Sequence, residues 1–174
     1  MLIIRPAEVE DAAAIARVHV ESWRSTYPGM IPQGYLDRLT VQNRSIGWVR
    51  LLERAPPDVI TLISEDDDGQ VVGFVTGGRL RHHDLRYEAE IASLYVLPGC
   101  QRAHHGRRLF LAASHRLAKA GYKGLFIWVL ADNTRARKFY EAMDGVAVAE
   151  ITRPFAGQPL REIGYGWAET PQYG

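Results

Sequence analysis

A short basic segment between Pro98 and Gly106 carries residue types that could bind a phosphate group. The apolar run from Leu94 to Leu97 predicts a strand that ends at Pro98, and helical spacing begins near Gly106. A helix that starts directly after a strand presents unpaired backbone N–H groups and the positive end of its dipole, which suits a pyrophosphate. Gly106 would let the backbone approach such a ligand closely. The segment therefore suits an anion site, with the basic side chains of Arg102, Arg107 and Arg108 on the same side. The alternative is an ordinary strand–turn–helix junction, since junctions with one glycine are common and most bind no ligand.

A second segment that could do chemistry follows the next apolar run. Asn133 is a good helix N-cap, and Tyr140 lies seven residues later, two turns along the same helix face. A phenol with a pKa of about 10 is protonated at neutral pH and can donate a proton or a hydrogen bond. Packing in the core is the alternative interpretation for Phe139 and Tyr140, and it is the favoured one for Phe139.

Together the two segments resemble the GNAT superfamily of N-acetyltransferases. Val96-Leu97-Pro98 followed by Gln101-x-x-His104-x-Gly106 is similar to the family's coenzyme A loop. Asn133-x-x-Ala136-x-x-Phe139-Tyr140 matches a later family motif in full. Ile4-Arg5-Pro6-Ala7 and Val72-Gly73-Phe74 are similar to the family's opening and third strand, so the resemblance spans nearly the whole chain.

The resemblance implies both a fold and an activity. The fold is α/β, with a GNAT-type mixed, mostly antiparallel central sheet of about seven strands and about four flanking helices. The activity is transfer of an acetyl group from acetyl-CoA to a primary amine by direct attack. The acceptor stays open among a small amine, an aminoglycoside-like drug, an amino acid and a protein terminus. A non-catalytic module that binds or senses acyl-CoA is the alternative, and homodimerisation is a further expectation.

The same resemblance assigns residues to the cofactor. The backbone of Leu94, Tyr95 and Val96 is expected to bind the pantetheine arm, Asn133 to contact the pantetheine region, and Tyr140 to donate to the leaving sulfur. Pyrophosphate binding is expected from Gln101, Arg102, Ala103, His104, His105, Gly106 and Arg107. His104 stands where the family has its first glycine. Binding tolerates this side chain if φ stays negative, whereas a positive φ would cost on the order of 1 kcal/mol or more.

Glu90 is the candidate base for the amine. It lies six residues before Val96, where several GNAT members place a catalytic glutamate on the fourth strand. The alternative is a strand residue that faces solvent, in which case water or Glu88 would take the proton. Another GNAT group places its glutamate five residues before the Asn, a position that is Trp128 here, so that mechanism does not carry over.

The elements around these segments predict one mixed sheet in a single domain of 174 residues. Asp66-Asp67-Asp68-Gly69 is a strong hairpin signal. The unit from Glu88 to Leu130 should be a right-handed crossover between parallel strands. Strands are expected at 2–5, 59–64, 71–76, 88–97, 126–130, 146–152 and 160–167, and helices at 12–23, 33–54, 106–120 and 133–143. Trp23, Tyr27 and Tyr35 in the helical region could line an acceptor pocket or pack in the core.

Composition limits the partners and the compartment. The 21 Lys and Arg nearly balance the 20 Asp and Glu, so nothing indicates a nucleic-acid partner. Cys100 is the single cysteine, the chain has no apolar run of membrane-span length and no signal-peptide layout, and a cytoplasmic protein is expected. The adjacent pairs His82-His83 and His104-His105 lack the i, i+4 spacing of a helical zinc site, so no metal is expected.

Overall fold

The computed structural model describes residues 3–81, 86–101 and 103–171, so His82, His83 and Arg102 lie outside the described residues. The helices are α1 (Ala12–Thr26), α2 (Gln33–Asp37), α3 (Val41–Arg54), α4 (His105–Lys119) and α5 (Thr134–Glu141). The strands are β1 (Ile3–Pro6), β2 (Ile60–Glu65), β3 (Val71–Arg79), β4 (Ala89–Val96), β5 (Leu125–Leu130), β6 (Val146–Phe155) and β7 (Gln158–Trp167).

The strands form one seven-stranded sheet in the order β1-β2-β3-β4-β5-β7-β6. β4 and β5 are parallel and every other neighbouring pair is antiparallel. The parallel pair is joined through α4, as the strand–helix–strand pattern predicts. The α/β architecture expected from the sequence, a mixed and mostly antiparallel sheet of about seven strands with about four helices, is thereby confirmed, with α1, α3, α4 and α5 as its four longer helices.

Helices cover both faces of this sheet. Successive side chains of the central strands point to opposite faces, and since they are apolar or β-branched on both, each face must be buried. On one face α4 and α5 pack against β4, β5 and β7, with Phe110 and Tyr165 fully buried. On the other face α1 and α3 cover β2 and β3, with Phe74 fully buried, while α2 packs beside α1. None of the described helices is long and apolar enough to cross a membrane.

Local signals place most elements within a few residues, and two expectations need correction. The helical region 33–54 is two helices, because Thr40 adopts extended φ and ψ values and its hydroxyl caps α3 by accepting a hydrogen bond from the Asn43 N–H at 3.2 Å. β6 and β7 continue beyond the expected ends into a two-residue turn at Ala156 and Gly157, both at positive φ.

Candidate active site

A cavity of about 1010 Å³ opens where β4 and β5 separate. The two strands pair only at Ala89 with Leu125 and at Glu90 with Phe126. The β3–β4 register shifts between Ser93 and Ile91, leaving Ala92 as an extra residue in β4. Such a bulge bends a strand, which accounts for the divergence of β4 from β5. The lining includes side chains from both faces of the sheet, so the cavity passes through the split.

The loop and first turn of α4 form one end of this cavity. Gln101, His104, Gly106 and Arg107 line it, whereas Ala103 and His105 do not. The Gln101 side chain fixes the loop to β4 by donating from Nε2 to the Val96 carbonyl oxygen at 3.1 Å. The helix dipole and the N–H groups of its first turn favour an anion here. Arg135, at the start of α5, adds a cation to the lining that the sequence analysis did not identify.

His104 has φ 63° and ψ 2°, the left-handed conformation, so of the two cases considered from the sequence the positive φ is the one that applies. The N-cap position of α4 requires a sharp reversal between the loop and the helix, which is the reason glycine suits it. Histidine is among the residues that adopt this conformation most readily after glycine, asparagine and aspartate. The loop therefore keeps the glycine-like shape with a side chain attached.

The fold itself does not require glycine at position 106. A Cβ built on it would lie 3.8 Å from the Phe139 ring and 3.9 Å from Val96 Cγ2, which are ordinary contacts. Its φ also lies outside the positive region. A requirement for glycine at this position would therefore come from a ligand that approaches the backbone.

Glu90 is buried, with 7 % of its surface exposed, and it lines the cavity at the last paired position of β4. Arg81 Nε donates to Glu90 Oε1 at 2.7 Å, and the Arg81 side chain is largely exposed. The interpretation of Glu90 as a solvent-facing strand residue is thereby wrong. Glu88 is exposed, accepts a hydrogen bond from the Lys123 N–H at 2.8 Å and does not line the cavity.

Tyr140 reaches the cavity from α5 on the opposite side of the split, with 5 % of its surface exposed. Burial, reinforced by the charge that Tyr27 would carry if ionised, raises the pKa of Tyr140. Its hydroxyl therefore stays protonated at neutral pH and can act as a donor. Asn133 lies in the same wall, and its Oδ1 caps α5 by accepting from the Ala136 N–H at 3.1 Å, as the sequence predicts.

Aromatic side chains line the cavity on the face covered by α1 and α2. Trp23 and Tyr27 contact each other edge to face, with their ring centroids 5.0 Å apart. The ring centroid of Phe155, at the end of β6, lies 6.3 Å from that of Trp23. Trp128 projects from β5 on the same face, since its neighbours Ile127 and Val129 belong to the core under α4 and α5. We call Trp23, Tyr27, Trp128 and Phe155 the aromatic face; all four line the cavity.

Two ion pairs accompany the aromatic face. Arg81 pairs with Glu90, and Arg153 Nε donates to Glu162 Oε2 at 2.5 Å. Arg153 also lies over the Trp128 ring, 5.4 Å from its centroid. Arg81, Arg153, Phe155 and Glu162 were not identified from the sequence. The alternation along β7 could have assigned Glu162 to one face of the sheet, but not to this cavity.

Among the described residues, no group of three or more His, Cys, Asp or Glu side chains could hold a metal ion.

Comparison with known proteins places this geometry in a family. The sequence model of the Acetyltransferase (GNAT) family matches residues 18–145. The uncharacterized N-acetyltransferase YuaI of Bacillus subtilis is 34 % identical over 169 residues, which cover 97 % of this chain and 94 % of YuaI.

Solved structures share the fold. The PaiA N-acetyltransferase of Thermoplasma acidophilum, in complex with coenzyme A, has a TM-score of 0.67 and 21 % identity, covering 94 % of this chain and 98 % of that one. The yncA protein of Salmonella typhimurium, with acetyl-CoA, has a TM-score of 0.71 and 19 % identity, covering 100 % of this chain and 96 % of that one.

Proposed function

This chain belongs to the GNAT family of acetyltransferases, and from that premise we propose that it transfers the acetyl group of acetyl-CoA directly to a primary amine. One observation carries the proposal. The cavity that opens between β4 and β5 has Glu90 where the strands are last paired, Tyr140 on its wall and the first turn of α4 at one end. A proton acceptor, a proton donor and an anion site thus surround one space.

The residues present fit acetyl-CoA as the acetyl donor. Past Glu90, the edge of β4 that faces β5 has no strand partner in the described sheet, so backbone groups there can bond an extended pantetheine arm. The Leu97 N–H bonds to the Val72 carbonyl oxygen of β3, so by alternation Leu94 and Val96 face the open edge, whereas the backbone of Tyr95 faces β3, unlike the expectation from the sequence. The first turn of α4, with Gln101, His104, Gly106 and Arg107, is proposed to hold the pyrophosphate. Backbone N–H groups of β4 would also stabilise the thioester oxygen as it gains negative charge. Asn133 lines the same cavity, and its side-chain NH₂ group is proposed to contact the arm.

The proposed role of Glu90 is to accept the proton of the amine. A lysine-like amine has a pKa of about 10.4, so at pH 7 its protonation withholds roughly 4–5 kcal/mol from the reaction. Glu90 is buried at the cavity wall, and its bond to Arg81 fixes Oε1 in place. The amine nitrogen then forms a bond to the acetyl carbon while the carbon–sulfur bond breaks, and Glu90, directly or through water, takes the proton.

Tyr140 is proposed to donate a proton or a hydrogen bond to the sulfur as it leaves. Its raised pKa keeps the proton on the phenol until charge develops on the sulfur. Glu90 and Tyr140 enter the cavity from different elements, β4 and α5, so the acceptor and the donor of protons do not compete for one position. A cytoplasmic location and a homodimer stay predictions from the sequence.

Glu90→Gln tests the assignment, with Glu88→Gln as the matched control outside the cavity. We expect thiol release from acetyl-CoA with a working amine to fall about 10²-fold or more at pH 7 in Glu90→Gln, and to stay unchanged in Glu88→Gln. The rate of Glu90→Gln should recover partly as the pH approaches the pKa of the amine, because neutral amine then forms without help. Tyr140→Phe should lower turnover without loss of folding.

The affinity for coenzyme A, measured by calorimetry, should be nearly unchanged in both glutamate variants. Wild-type turnover in Glu90→Gln at pH 7 would contradict the role of Glu90. Coenzyme A binding without thiol release across a broad amine panel would contradict catalysis itself and support a binding module.

A further inference from the structure

The side of the cavity that an acceptor amine would enter is lined by other residues than the side proposed to bind coenzyme A. The residues proposed to bind coenzyme A lie at the α4 end of the cavity, whereas the aromatic face lies under α1 and α2 on the other side of the sheet. Glu90 stands at the boundary, at the last paired position of β4. An amine that reaches Glu90 from the side opposite α4 must therefore pass along the aromatic face.

The aromatic face is held rigidly from three directions. The Phe155 ring packs edge to face on Tyr35 of α2, with the ring centroids 4.8 Å apart, and this contact fixes the end of β6 over the helices. The Tyr27 and Tyr95 hydroxyls are hydrogen-bonded at 2.9 Å, which joins the end of α1 to β4. Trp128 packs edge to face on Phe126 at 4.9 Å. Rings fixed in this way can stack on a flat ligand without first losing conformational freedom.

The charges on this side are compensated within the protein. Glu90 is bonded to Arg81 and Glu162 to Arg153, and these four groups supply equal numbers of positive and negative charges. The Glu162 charge lies close enough to Tyr27 to add to the rise in the Tyr27 pKa that burial causes. An acceptor with a second ammonium group would have to break one of these ion pairs to find a counter-ion, or leave its charge uncompensated among aromatic rings.

We propose that the acceptor is a primary amine whose carbon skeleton carries an aromatic ring or a similar flat apolar group and no second positive charge. This inference rests on the proposed acetyl transfer and names its substrate class. The ring of the acceptor stacks against Trp23, Trp128 and Phe155, where aromatic contacts contribute affinity beyond that of the apolar area that they bury. The amine nitrogen then points to Glu90 at the split between β4 and β5.

Three matched amines test the substrate class: butylamine, 2-phenylethylamine, which adds a ring, and 1,4-diaminobutane, which adds a charge. We expect kcat/KM from thiol release to be at least tenfold higher for 2-phenylethylamine than for butylamine, and lowest for 1,4-diaminobutane. Transfer to the diamine that equals or exceeds transfer to 2-phenylethylamine would overturn the inference and leave acetyl transfer intact. If thiol is released neither with these three amines nor with a broader amine panel, the proposed function is overturned as well.

Two variants separate the ring contact from general damage. Phe155→Leu keeps an apolar side chain at a half-exposed position and should lower kcat/KM for 2-phenylethylamine at least fivefold more than kcat/KM for butylamine. Arg153→Met keeps the apolar stem over Trp128 but releases Glu162, and should raise kcat/KM for 1,4-diaminobutane. Equal losses for all three amines in Phe155→Leu, or an unchanged diamine rate in Arg153→Met, would contradict the assignment of the face. Coenzyme A affinity, which the face does not determine, should match the wild type in both variants.

Discussion

Gly106→Ala separates a requirement of the ligand from a requirement of the fold. The added Cβ would meet Phe139 and Val96 at 3.8–3.9 Å, so the protein can accept it without movement. Gly106 is the second residue of α4, where alanine favours the helix over glycine by up to about 1 kcal/mol. In a chain of this length that gain corresponds to a rise in Tm of roughly 2–4 °C. The folded state should therefore become more stable.

Coenzyme A binding should change in the opposite direction. If the pyrophosphate approaches the backbone of the first turn of α4, the new methyl group occupies the space of a phosphate oxygen or its water. We expect the Kd for coenzyme A to rise at least tenfold, which is about 1.4 kcal/mol or more. Calorimetry gives the Kd and thermal unfolding gives the Tm, so the gain in stability and the loss of affinity are measured on the same variant.

Gly47→Ala is the matched control for that experiment. Gly47 lies inside α3, away from the cavity, and a Cβ there would have nothing within 4 Å. The same substitution should raise the Tm by a similar amount and leave the Kd for coenzyme A unchanged. Wild-type affinity in Gly106→Ala would refute the close backbone approach and would move the anion site to another part of the loop.

His104→Gly completes the comparison at the neighbouring position. Its left-handed backbone costs a non-glycine residue on the order of 1 kcal/mol, which glycine removes, although glycine also gains entropy in the unfolded chain. The Kd for coenzyme A should be equal or lower than in the wild type. A higher Kd would instead assign the His104 imidazole to ligand binding, and His104→Ala would then show the same loss.

Two further predictions concern stability. Ala156→Asn should raise the free energy of unfolding by about 0.5–1 kcal/mol, because Ala156 and Gly157 both have positive φ in the turn between β6 and β7, where Asn-Gly is favoured; an unchanged or lower Tm would count against the turn geometry. Asp11→Asn should cost roughly 1 kcal/mol at pH 7, a modest value since Arg5 is a third exposed. The Arg5 guanidinium, bonded to both Asp11 oxygens at 2.7 and 2.8 Å, lowers the pKa of Asp11, so its contribution is complete above the unfolded pKa of about 3.9 and disappears as the pH falls through the lower folded value. Urea unfolding at pH 7 and pH 3 should show the gap between wild type and variant closing at the lower pH, and an equal gap at both would contradict this account.

The sequence predicted the elements whose signals are local. The turn from Asp66 to Gly69 is built as its composition indicates, with Asp66 Oδ1 accepting from the Asp68 and Gln70 N–H groups. The break between α2 and α3 was missed because Thr40 was not interpreted as an N-cap. The turn at Ala156 was missed for a different reason, since alanine at positive φ is no turn signal and only the pairing of β6 with β7 imposes it.

The candidate site also has parts with local sequence signals and parts that only the folded chain assembles. The α4 end was predictable because its residues lie in one segment of about ten residues, where strand end, loop and helix start follow in order. Glu90 could be named from its spacing to Val96, although its burial and its bond to Arg81 could not. Two members of the aromatic face, Trp23 and Tyr27, could be named from the sequence as possible pocket residues. Trp128 and Phe155 could not, since they come from β5 and β6 and only the completed sheet brings these strands together with α1.

Gly164 shows why that face depends on the whole fold. It pairs with Trp128 in the ladder between β5 and β7, and an added Cβ would lie 2.3 Å from the Phe126 ring and 3.1 Å from the Trp128 ring. A glycine inside a strand normally weakens it, so its presence here needs a compensating contact. That contact is the pair of rings, which lie across β7 because no side chain occupies the position. The glycine on β7 therefore fixes the orientation of an aromatic residue on β5, and with it the surface that an acceptor amine would meet.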